Sequence, residues 1–595
     1  MGRIVVAAVV VAAFCIQLTA GPAQAAEPRA ALQGEMDEAL RQAIVRAVGE
    51  IDRPALNRFE ARRRAREAAE SAISVLRSEG YYGYEVTPDV GEGDTPTSVV
   101  RVTPGRRFLF AGSKVDWVGD PPSPTVSQSA AEAMGLADGA PGRSIDVLAA
   151  EGRVVATVQK LGYADAATEP REVVVDHADR TVRPTFRIAA GQLVRLDGLE
   201  LTTQGRTSPV WLKNLAPWRP GEVYKPNDVA ELERRLLDTQ VYDSVTVALA
   251  PREKTTADGL RPIVVSLADR KPRTIEAGAS YATSEGLGLD VKWTRYSTFL
   301  RADTLAYTAR VSQLDSRLAA DLSLPHWRRP QQTLHLGAAA YKTTTDAYDE
   351  TGFGVRSDVT RRYGKTSYIT VGASADLSRN DEKRPETLSS LGRDIATLAL
   401  LADLSLDRSD DPLDPHRGWR VGARAEPTYL VGRSLSLPYL KLVAQGSYYL
   451  SVDKQARTVL AARVRAGEIL GGTIPEVPAS RRFYAGGGGS VRGYAYQAVG
   501  PRLSDNTPQG GLSLLETSVE LRQKLTRRWG VVAFVDAGAV GTGRFPGGSD
   551  LSAGAGLGVR YDLGFGPFRA DIAVPLNKRQ GDSAFQIYMS IGQSF

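Results

Sequence analysis

The residues best suited to chemistry in this sequence lie in the segment FYAGGGGSVRGY, Phe483–Tyr494. The segment places one cation, Arg492, after four consecutive glycines and directly before Gly493 and Tyr494. Glycine runs allow a backbone to enter tight spaces and to adopt positive φ. A guanidinium carried by such a loop can bind carboxylates through paired, charge-assisted hydrogen bonds. The segment therefore predicts an arginine directed at an acidic partner.

Two downstream carboxylates, Asp536 and Glu520, are the candidate partners of Arg492, and each lies in a segment of alternating polar and apolar residues. The alternative is a mobile surface loop with Arg492 in solvent. Loss of one member of a buried ion pair costs about 3–5 kcal/mol. If the pair exists, we expect Arg492→Ala to impair function more than Arg522→Ala.

The sequence contains no catalytic or metal-binding constellation. Its four histidines, His177, His326, His335 and His416, form no pair at the i, i+4 spacing of a helical metal site. Neither a G-x-S-x-G nucleophile turn nor a G-x-x-x-x-G-K phosphate loop occurs. We therefore predict that the protein is not an enzyme and requires neither a cofactor nor a metal.

The composition excludes several classes of protein. With 42% hydrophobic and 24% charged residues the chain is not disordered, and beyond its first residues it has no apolar run of the roughly 20 needed for a spanning helix. The net charge of +6 is small for 595 residues, and the charged residues are of both signs. It therefore gives no indication of nucleic-acid binding.

The N-terminus has the pattern of a secretory signal peptide: Arg3, the apolar run Ile4–Ile16, and Ala23-Gln24-Ala25. We assign residues 1–25 to this peptide. The only cysteine, Cys15, lies within the apolar run and lacks the flanking residues of a lipoprotein site. The mature chain is therefore expected to contain no disulfide and no thiolate metal site.

A unit of about 80 residues repeats before residue 272 and is marked by Tyr81, Tyr163 and Tyr242. Each copy has a helix with apolar residues at i, i+3, i+4 and i+7, then a corner, then a short strand. This period predicts three tandem α+β domains, at 26–107, 108–192 and 193–272. The helical pattern within 28–48 is assigned to the first repeat.

From Arg273 onward a period of two replaces helical spacing. In Leu515–Lys524, Glu516, Ser518, Glu520 and Arg522 share one face and the apolar residues the other. Such alternation fits a soluble antiparallel sheet or a transmembrane barrel with a polar lumen. The charged faces, the export signal and the aromatic last residue, Phe595, favour the barrel.

The length of residues 273–595 predicts an antiparallel β-barrel of about sixteen strands. We expect the first strand near Ile275–Tyr281 and the last at Ala584–Phe595. The turn-rich segments Asn380–Pro385, Asp410–Pro415 and Pro546–Asp550 are expected to be loops.

Several motifs, in order, resemble the BamA/TamA outer-membrane assembly barrel superfamily, in which periplasmic POTRA domains precede a barrel. Gly488–Tyr494 resembles the loop motif that folds back into the barrel, and Phe534–Gly538 the strand motif that meets its arginine. This resemblance favours the paired Arg492 over the solvent-exposed one. The terminal motif of the superfamily is carried by six residues: Gly556, Gly558, Arg560, Gly566, Arg569 and Asp571.

Three POTRA-like repeats are typical of the TamA-type branch, the barrel subunit of a translocation and assembly module. The resemblance implies a protein of the bacterial outer membrane, with periplasmic N-terminal domains, that inserts or secretes autotransporter-like outer-membrane proteins through a lateral seam. It implies unfolded outer-membrane proteins, membrane lipid and a TamB-like periplasm-spanning protein as partners. The alternatives are a two-partner-secretion exporter, with 28–48 as a plug helix, and a passive pore.

Overall fold

The computed structural model describes residues 27–51, 53–92, 96–203, 205–282, 286–364, 366–384, 391–547, 551–564 and 566–591. The predicted signal peptide, with Cys15, and the terminal Phe595 lie outside these residues. No helix within the described ranges is long and apolar enough to cross a membrane.

The chain divides into two compact units. The first comprises Met1–Asp197, Pro220–Asn227 and Thr255–Arg261. The second comprises Gly198–Arg219, Asp228–Lys254 and Pro262–Phe595.

The first N-terminal module has a sheet of order β2-β5-β4 against two helices. Its elements are β1 (Glu27–Pro28), β2 (Ala31–Gln33), α1 (Glu38–Val48), β3 (Glu50–Ile51), α2 (Arg58–Ser78), β4 (Glu85–Val90) and β5 (Ser98–Thr103). Asp37 begins α1 by accepting a hydrogen bond from the backbone N–H of Leu40, 2.8 Å away. Because Ile44 packs with Leu76 and Val100 in one buried cluster, α1 is part of this module and not a plug helix.

The second module is built around the long strand β10, which pairs in parallel with β6 and β7 and antiparallel with β8 and β9. Its elements are β6 (Leu109–Phe110), β7 (Lys114–Trp117), α3 (Pro124–Met134), α4 (Ser144–Lys160), β8 (Ala167–Thr168), β9 (Glu172–Asp176) and β10 (Thr181–Ala189). Phe110, Val154 and Phe186 are fully buried between the sheet and the helices. This apolar burial holds the module together.

The third module has a sheet of order β11-β13-β12. Its elements are β11 (Arg195–Leu201), α5 (Pro209–Lys213), α6 (Pro226–Leu237), β12 (Tyr242–Leu249), a 3₁₀ turn (Arg252–Lys254) and β13 (Leu260–Asp269). Helix α6 buries Val229, Leu232 and Leu236, the face that its i, i+3, i+7 spacing predicts.

Within the part of the chain that the structure describes, sixteen antiparallel strands follow in simple meander order, β14 to β29. They are β14 (Arg273–Ala282), β15 (Gly286–Tyr296), β16 (Thr304–Ser312), β17 (Asp315–Leu324), β18 (Gln332–Thr344), β19 (Tyr348–Tyr363), β20 (Ser367–Glu382), β21 (Leu391–Asp407), β22 (Gly418–Gly432), β23 (Leu435–Ser451), β24 (Thr458–Leu470), β25 (Ser513–Lys524), β26 (Trp529–Gly541), β27 (Ser552–Asp562), β28 (Pro567–Pro575) and β29 (Gln586–Ile591). The predicted sixteen-stranded barrel is confirmed.

The strands alternate as the sequence predicts. On β25, Glu516, Ser518 and Glu520 are buried on the lumen side, whereas Leu515 and Val519 are exposed. An exposed apolar face on every other residue is the pattern of a barrel surrounded by lipid. The polar lumen thus accommodates the charged side chains of Glu516 and Glu520.

One predicted loop is partly strand. The segment Asn380–Pro385 was expected to be a turn, but β20 continues to Glu382 because Asn380 pairs with Arg393 and Glu382 with Leu391 of β21. Turn-forming residue types do not interrupt a strand whose backbone groups find ladder partners beyond the apolar belt. The segment Asp410–Pro415 does lie between strands.

The third module contacts the barrel turns at the end where β14 begins. The backbone N–H of Ser208 donates to the carbonyl of Leu300, at 2.8 Å. In the turn after β17, His326 Nε2 donates to the carbonyl of Arg235, at 2.9 Å, and its Nδ1 accepts from the backbone N–H of Gln331, at 3.0 Å. These bonds fix the neutral Nε2–H tautomer, and burial lowers the pKa of His326.

Candidate functional site

The longest connection of the barrel, residues 471–512, joins β24 to β25 and is called here the lumen loop. It lies at the opposite end of the barrel from the third module, because the strands alternate in direction from β14 onward. Gly486 and Gly487 have φ of 107° and 100°, a region that favours glycine. These residues let the loop double back so that Val491 and Arg492 are buried in the lumen.

Arg492 is bound most closely by Asp536 on β26. Its Nε lies 2.6 Å from Asp536 Oδ2, and its Nη2 lies 2.9 Å from Oδ1. The backbone N–H of Arg492 also donates to Oδ2, at 3.0 Å. This two-pronged pairing is the strong geometry for an arginine and a carboxylate. With Arg492 1% exposed, solvent does not screen the pair.

Two further carboxylates meet the same guanidinium. Arg492 Nη1 lies 2.8 Å from Glu520 Oε1 on β25 and 3.1 Å from Asp571 Oδ2 on β28. The first is an ion pair rather than an aligned hydrogen bond, because Glu520 Oε1 has no hydrogen-bond partner of good geometry among the described residues. The structure thus brings together Arg492 and both predicted partners, and adds Asp571.

The face of Phe534 completes the pocket, with its ring centroid 3.4 Å from the guanidinium carbon of Arg492. An aromatic face attracts a cation at this distance. Phe534 belongs to the strand motif that the resemblance predicts to meet the arginine, whereas Asp571 was not predicted as a contact of it. Both belong to motifs that the sequence singled out, but the contact depends on register between strands far apart in sequence.

Three inward glycines of β27 make room for this cluster. A Cβ at Gly554 would lie 1.9 Å from the carbonyl oxygen of Arg492, and one at Gly558 would lie 2.0 Å from Asp571 Oδ1. A Cβ at Gly556 would lie 2.4 Å from the ring of Phe534. The glycines of the terminal motif therefore have a steric role in this lumen.

The arginines of the terminal motif share the acidic groups. Arg560 Nη1 lies 2.5 Å from Asp571 Oδ1, and Arg569 Nε lies 3.4 Å from Asp571 Oδ2. Arg522 binds the other oxygen of Glu520, at 2.9 Å. Buried charges are tolerated when they are paired in this way. Gly566 lies in the tight turn between β27 and β28, with φ of 149°.

Gly493 and Tyr494 link the loop to the last strand. The phenol of Tyr588 on β29 accepts from the backbone N–H of Gly493, at 3.1 Å, and donates to the carbonyl of Tyr494, at 2.9 Å. Gly493 has φ of 101°, and a Cβ there would lie 2.8 Å from the carbonyl of Val574. Tyr494 donates to Asn577 Oδ1, at 2.6 Å.

We call Arg492, Asp536, Glu520 and Asp571 the seam anchor.

A second cluster, absent from the sequence-based predictions, holds the start of the lumen loop. Arg481 lies 2.8 Å from Asp376 on β20 and 3.3 Å from Glu350 on β19. Arg482 lies 2.8 Å from Glu382 on β20. These five residues are called the wall anchor.

Arg482 also ties the two arms of the loop together. Its guanidinium donates to the carbonyls of Val477, Ile474 and Gln509, at 2.9, 2.7 and 2.9 Å. The adjacent arginines at the loop start, Arg481-Arg482, are the sequence signal that could have indicated this cluster. Their partners lie about 100 residues upstream, so spacing alone could not identify them.

The two ends of the sheet, β14 and β29, meet at a seam. They approach each other, but among the described residues the sheet order shows no ladder between them. Within the described residues, the last strand pairs with β28 from Ala573↔Gln586 to Phe568↔Ile591. Unpaired backbone groups at such an edge are available to another strand.

Within the described ranges, no group of His, Cys, Asp and Glu side chains is arranged to hold a metal ion. The carboxylates of both anchors are instead occupied by arginines. The arrangement can hold a loop in place.

Comparison with known proteins shows which family this chain resembles. Residues 299–595 match the model of the Omp85 superfamily domain. The chain is 22% identical over 438 residues to the outer membrane protein assembly factor BamA of Neorickettsia risticii, covering 70% of this chain and 57% of that protein. It is 22% identical over 610 residues to BamA of Neisseria meningitidis, covering 91% of this chain and 74% of that protein.

Among solved structures, the fold is similar to BamA of Haemophilus ducreyi lacking POTRA domains 1–3. The TM-score is 0.68 at 17% sequence identity, with 82% of this chain and 100% of that chain covered. At this identity the likeness establishes the shared fold.

Proposed function

The chain belongs to the Omp85 superfamily, and we propose that it inserts or secretes outer-membrane proteins through the seam between β14 and β29. It is a β-barrel of the bacterial outer membrane with its N-terminal modules in the periplasm. Within the superfamily, we propose the TamA-type role of a translocation and assembly module, with autotransporter-like substrates.

The observation that carries this proposal is the position of the seam anchor beside the seam. Arg492 binds strands β25, β26 and β28. Tyr588 of the last strand accepts from the backbone N–H of Gly493 and donates to the carbonyl of Tyr494. A loop held in this way fixes the edge strand from inside the lumen. Rearrangement of the loop would therefore alter the edge that an incoming strand meets.

The chemistry proposed at the seam is strand addition. An unfolded substrate strand pairs its backbone N–H and C=O groups with the open edge, so the binding energy derives from main-chain hydrogen bonds. Many substrate sequences can then be accepted, and no nucleotide is required. Closure follows when the new barrel pairs its own first and last strands, because every backbone group in lipid must be paired.

The N-terminal modules are proposed to receive periplasmic partners, including a TamB-like protein, by the same physics. Strand β9 pairs with β10 alone among the described strands, and its Val173 and Val174 are exposed. An edge strand with exposed valines supports addition of an extended partner segment. Cross-linking of the full chain in cells tests this role: a long periplasm-spanning partner supports the TamA-type assignment, and one dedicated secreted protein supports an exporter.

The seam is tested by a disulfide between β14 and β29 in otherwise wild-type protein. The only native cysteine, Cys15, lies in the predicted signal peptide, so the background is free of thiols. Cysteine at Ala277, paired in turn with cysteine at Ile587 and at Met589, gives the seam staples. We expect the oxidised staple to block insertion of an outer-membrane barrel substrate and reduction to restore it.

A matched control places cysteines at Ala277 and Val291, which are already paired in the β14–β15 ladder. This control should insert substrate whether oxidised or reduced. Full activity of an oxidised seam staple would contradict the lateral route. Large steady conductance without any effect on substrate insertion would support a passive pore instead.

A further inference from the structure

The first N-terminal module presents an exposed surface that the proposed seam mechanism does not use. Leu56 and Phe59, at the beginning of α2, are 73% and 79% exposed. Arg58, Arg62 and Arg66 follow at i, i+4, i+8 spacing and are exposed along the same helix. We call these five residues the Arg–Phe surface.

The two apolar side chains are displayed by a rigid helix start rather than by a loose end. Asn57 accepts from the backbone N–H of Glu60, at 2.8 Å, and Glu60 accepts in return from the backbone N–H of Leu56, at 2.9 Å. Such reciprocal capping fixes the chain on entry to a helix. The hydrogen bond from Leu56 and the neighbouring Arg64 lower the pKa of Glu60, so the cap remains ionised at neutral pH.

The arginine spacing does not serve the helix. Like charges at i, i+4 repel each other. Arg58 is the first residue of α2, where the helix dipole disfavours a cation. The basic residues nearest to this stripe do have partners: Arg63 pairs with Glu67 and Arg64 with Glu60. Among the described residues, no ion pair engages Arg58, Arg62 or Arg66.

Two bulky apolar side chains beside a stripe of cations match the chemistry of an anionic membrane surface. Aromatic and aliphatic residues enter the headgroup region, while arginines bind the phosphates. We propose that the Arg–Phe surface docks the first module on anionic phospholipid of a membrane that faces the periplasm. The binding is separate from the seam and does not depend on it.

A lipid surface fits these side chains better than a protein partner does. Hot-spot aromatics of protein interfaces occupy well-packed pockets surrounded by contacts that exclude water. Leu56 and Phe59 instead protrude from a convex helix start. Insertion into a fluid interface requires protruding side chains and no complementary groove.

The test uses the full chain in nanodiscs of zwitterionic phosphatidylcholine. Capture of added vesicles is measured by co-sedimentation, with vesicles of phosphatidylcholine alone or with 30% phosphatidylglycerol. We expect capture of the anionic vesicles only, weakening when NaCl is raised from 50 to 500 mM because exposed charges are screened. Arg58→Gln/Arg62→Gln/Arg66→Gln and Leu56→Ser/Phe59→Ser should each weaken capture about tenfold or more.

A matched control is Ile145→Ser/Leu148→Ser, which removes two exposed apolar side chains from α4 in a different module. It should capture vesicles like the wild type. The triple glutamine variant should unfold at the same temperature as the wild type or higher, since it removes repulsion, which separates loss of binding from loss of folding.

Three outcomes would overturn the proposal. One is equal capture of zwitterionic and anionic vesicles by the wild type. Another is an equal loss of capture in the α4 control. The third is tighter binding of an acidic polyglutamate–leucine peptide than of anionic vesicles, which would assign the surface to a protein partner. Failure of the seam staple test leaves this docking intact, so the two results are distinguishable.

Discussion

The lumen loop is held by arginines at two points, Arg482 near its start and Arg492 near its middle, and the two are bound in different ways. Arg492 reaches outward, and its three carboxylates lie on three different strands near the seam. Arg482 binds one carboxylate of the distant wall and three carbonyls of the loop itself. The wall anchor therefore holds the loop's own shape, whereas the seam anchor couples that loop to strands that could move.

This difference suggests a division of labour. If the seam opens, β26 and β28 shift relative to each other and the contacts of Arg492 must change. The contacts of Arg482 need not change, because most of its partners belong to the loop. The wall anchor would then hold the loop in place throughout, and the seam anchor would release the loop when the seam opens.

The largest effect is expected from Arg492→Ala. Three buried carboxylates would lose their shared cation, at a cost of about 3–5 kcal/mol in stability of the closed state. We expect substrate insertion to be nearly abolished while the barrel still forms. Arg522→Ala is the comparison, because Arg522 binds Glu520, one of the same three carboxylates. Equal insertion rates in the two variants would remove the special role of Arg492.

Arg482→Ala should have the next largest effect, and of a different kind. It would remove the closest of three arginines from Glu382, leaving Arg393 and Arg384, and would remove one donor from three loop carbonyls. We expect this loss to destabilise the loop base by about 3 kcal/mol. Limited proteolysis should then cut within residues 473–511. The partly exposed Arg481→Ala should cost about 1 kcal/mol and leave the loop resistant. If the wall anchor had the same role as the seam anchor, Arg482→Ala would abolish substrate insertion without increasing proteolytic cleavage of the loop.

Gly493→Ala tests whether the close contact of the loop with β28 near the seam is needed for insertion. A side chain at φ of 101° is strained, and its Cβ would approach the carbonyl carbon of Val574 to 2.8 Å. We expect a cost of about 1–3 kcal/mol and reduced insertion, measured with the same assay. Gly489→Ala is the matched control, because a Cβ there meets no atom within 4 Å. Comparable losses in both would mean that loop flexibility, not the seam contact, matters.

The smallest effect is expected at the contact between His326 and Arg235, which involves neither anchor. The pKa of His326 is lowered by burial, so its docking on Arg235 is complete above its unfolded pKa, about 6.5. Docking weakens as the pH falls from there toward the folded pKa, because the unfolded state then binds more protons. The distribution of distances between spin labels on the third module and on the barrel should be broader at pH 5 than at pH 7.5.

The variant His326→Asn should remove that pH dependence. Protease resistance of the lumen loop should be the same at both pH values. A loop that loosens with acid in step with the third module would show that the two ends of the barrel are coupled.

Much of this architecture was readable from local pattern. Period-two alternation predicted the faces of β25, and the glycine run with Arg492, together with the family resemblance, predicted the loop and its partner Asp536. These signals work because strand faces and backbone freedom are local properties. The predicted domain boundaries at 107, 192 and 272 remain predictions.

The rest depends on register across distant strands. Asp571 reaches Arg492 because it pairs with Gly558, which pairs onward through β27 and β26. The wall anchor unites Arg482 with Glu382, and nothing near either residue indicates the other. The continuation of β20 through Asn380 likewise depends on ladder partners in β21.

The central claim is tested most directly by photo-cross-linking to a barrel substrate arrested during insertion. One photoreactive residue replaces Ile275, which is 74% exposed on β14 beside the seam, and another replaces Arg356, on β19 facing the lumen. The account predicts cross-links from position 275 in the wild type, few from position 356, and loss of the former in Arg492→Ala. Cross-links from position 356 alone would show passage through the lumen and contradict the lateral route.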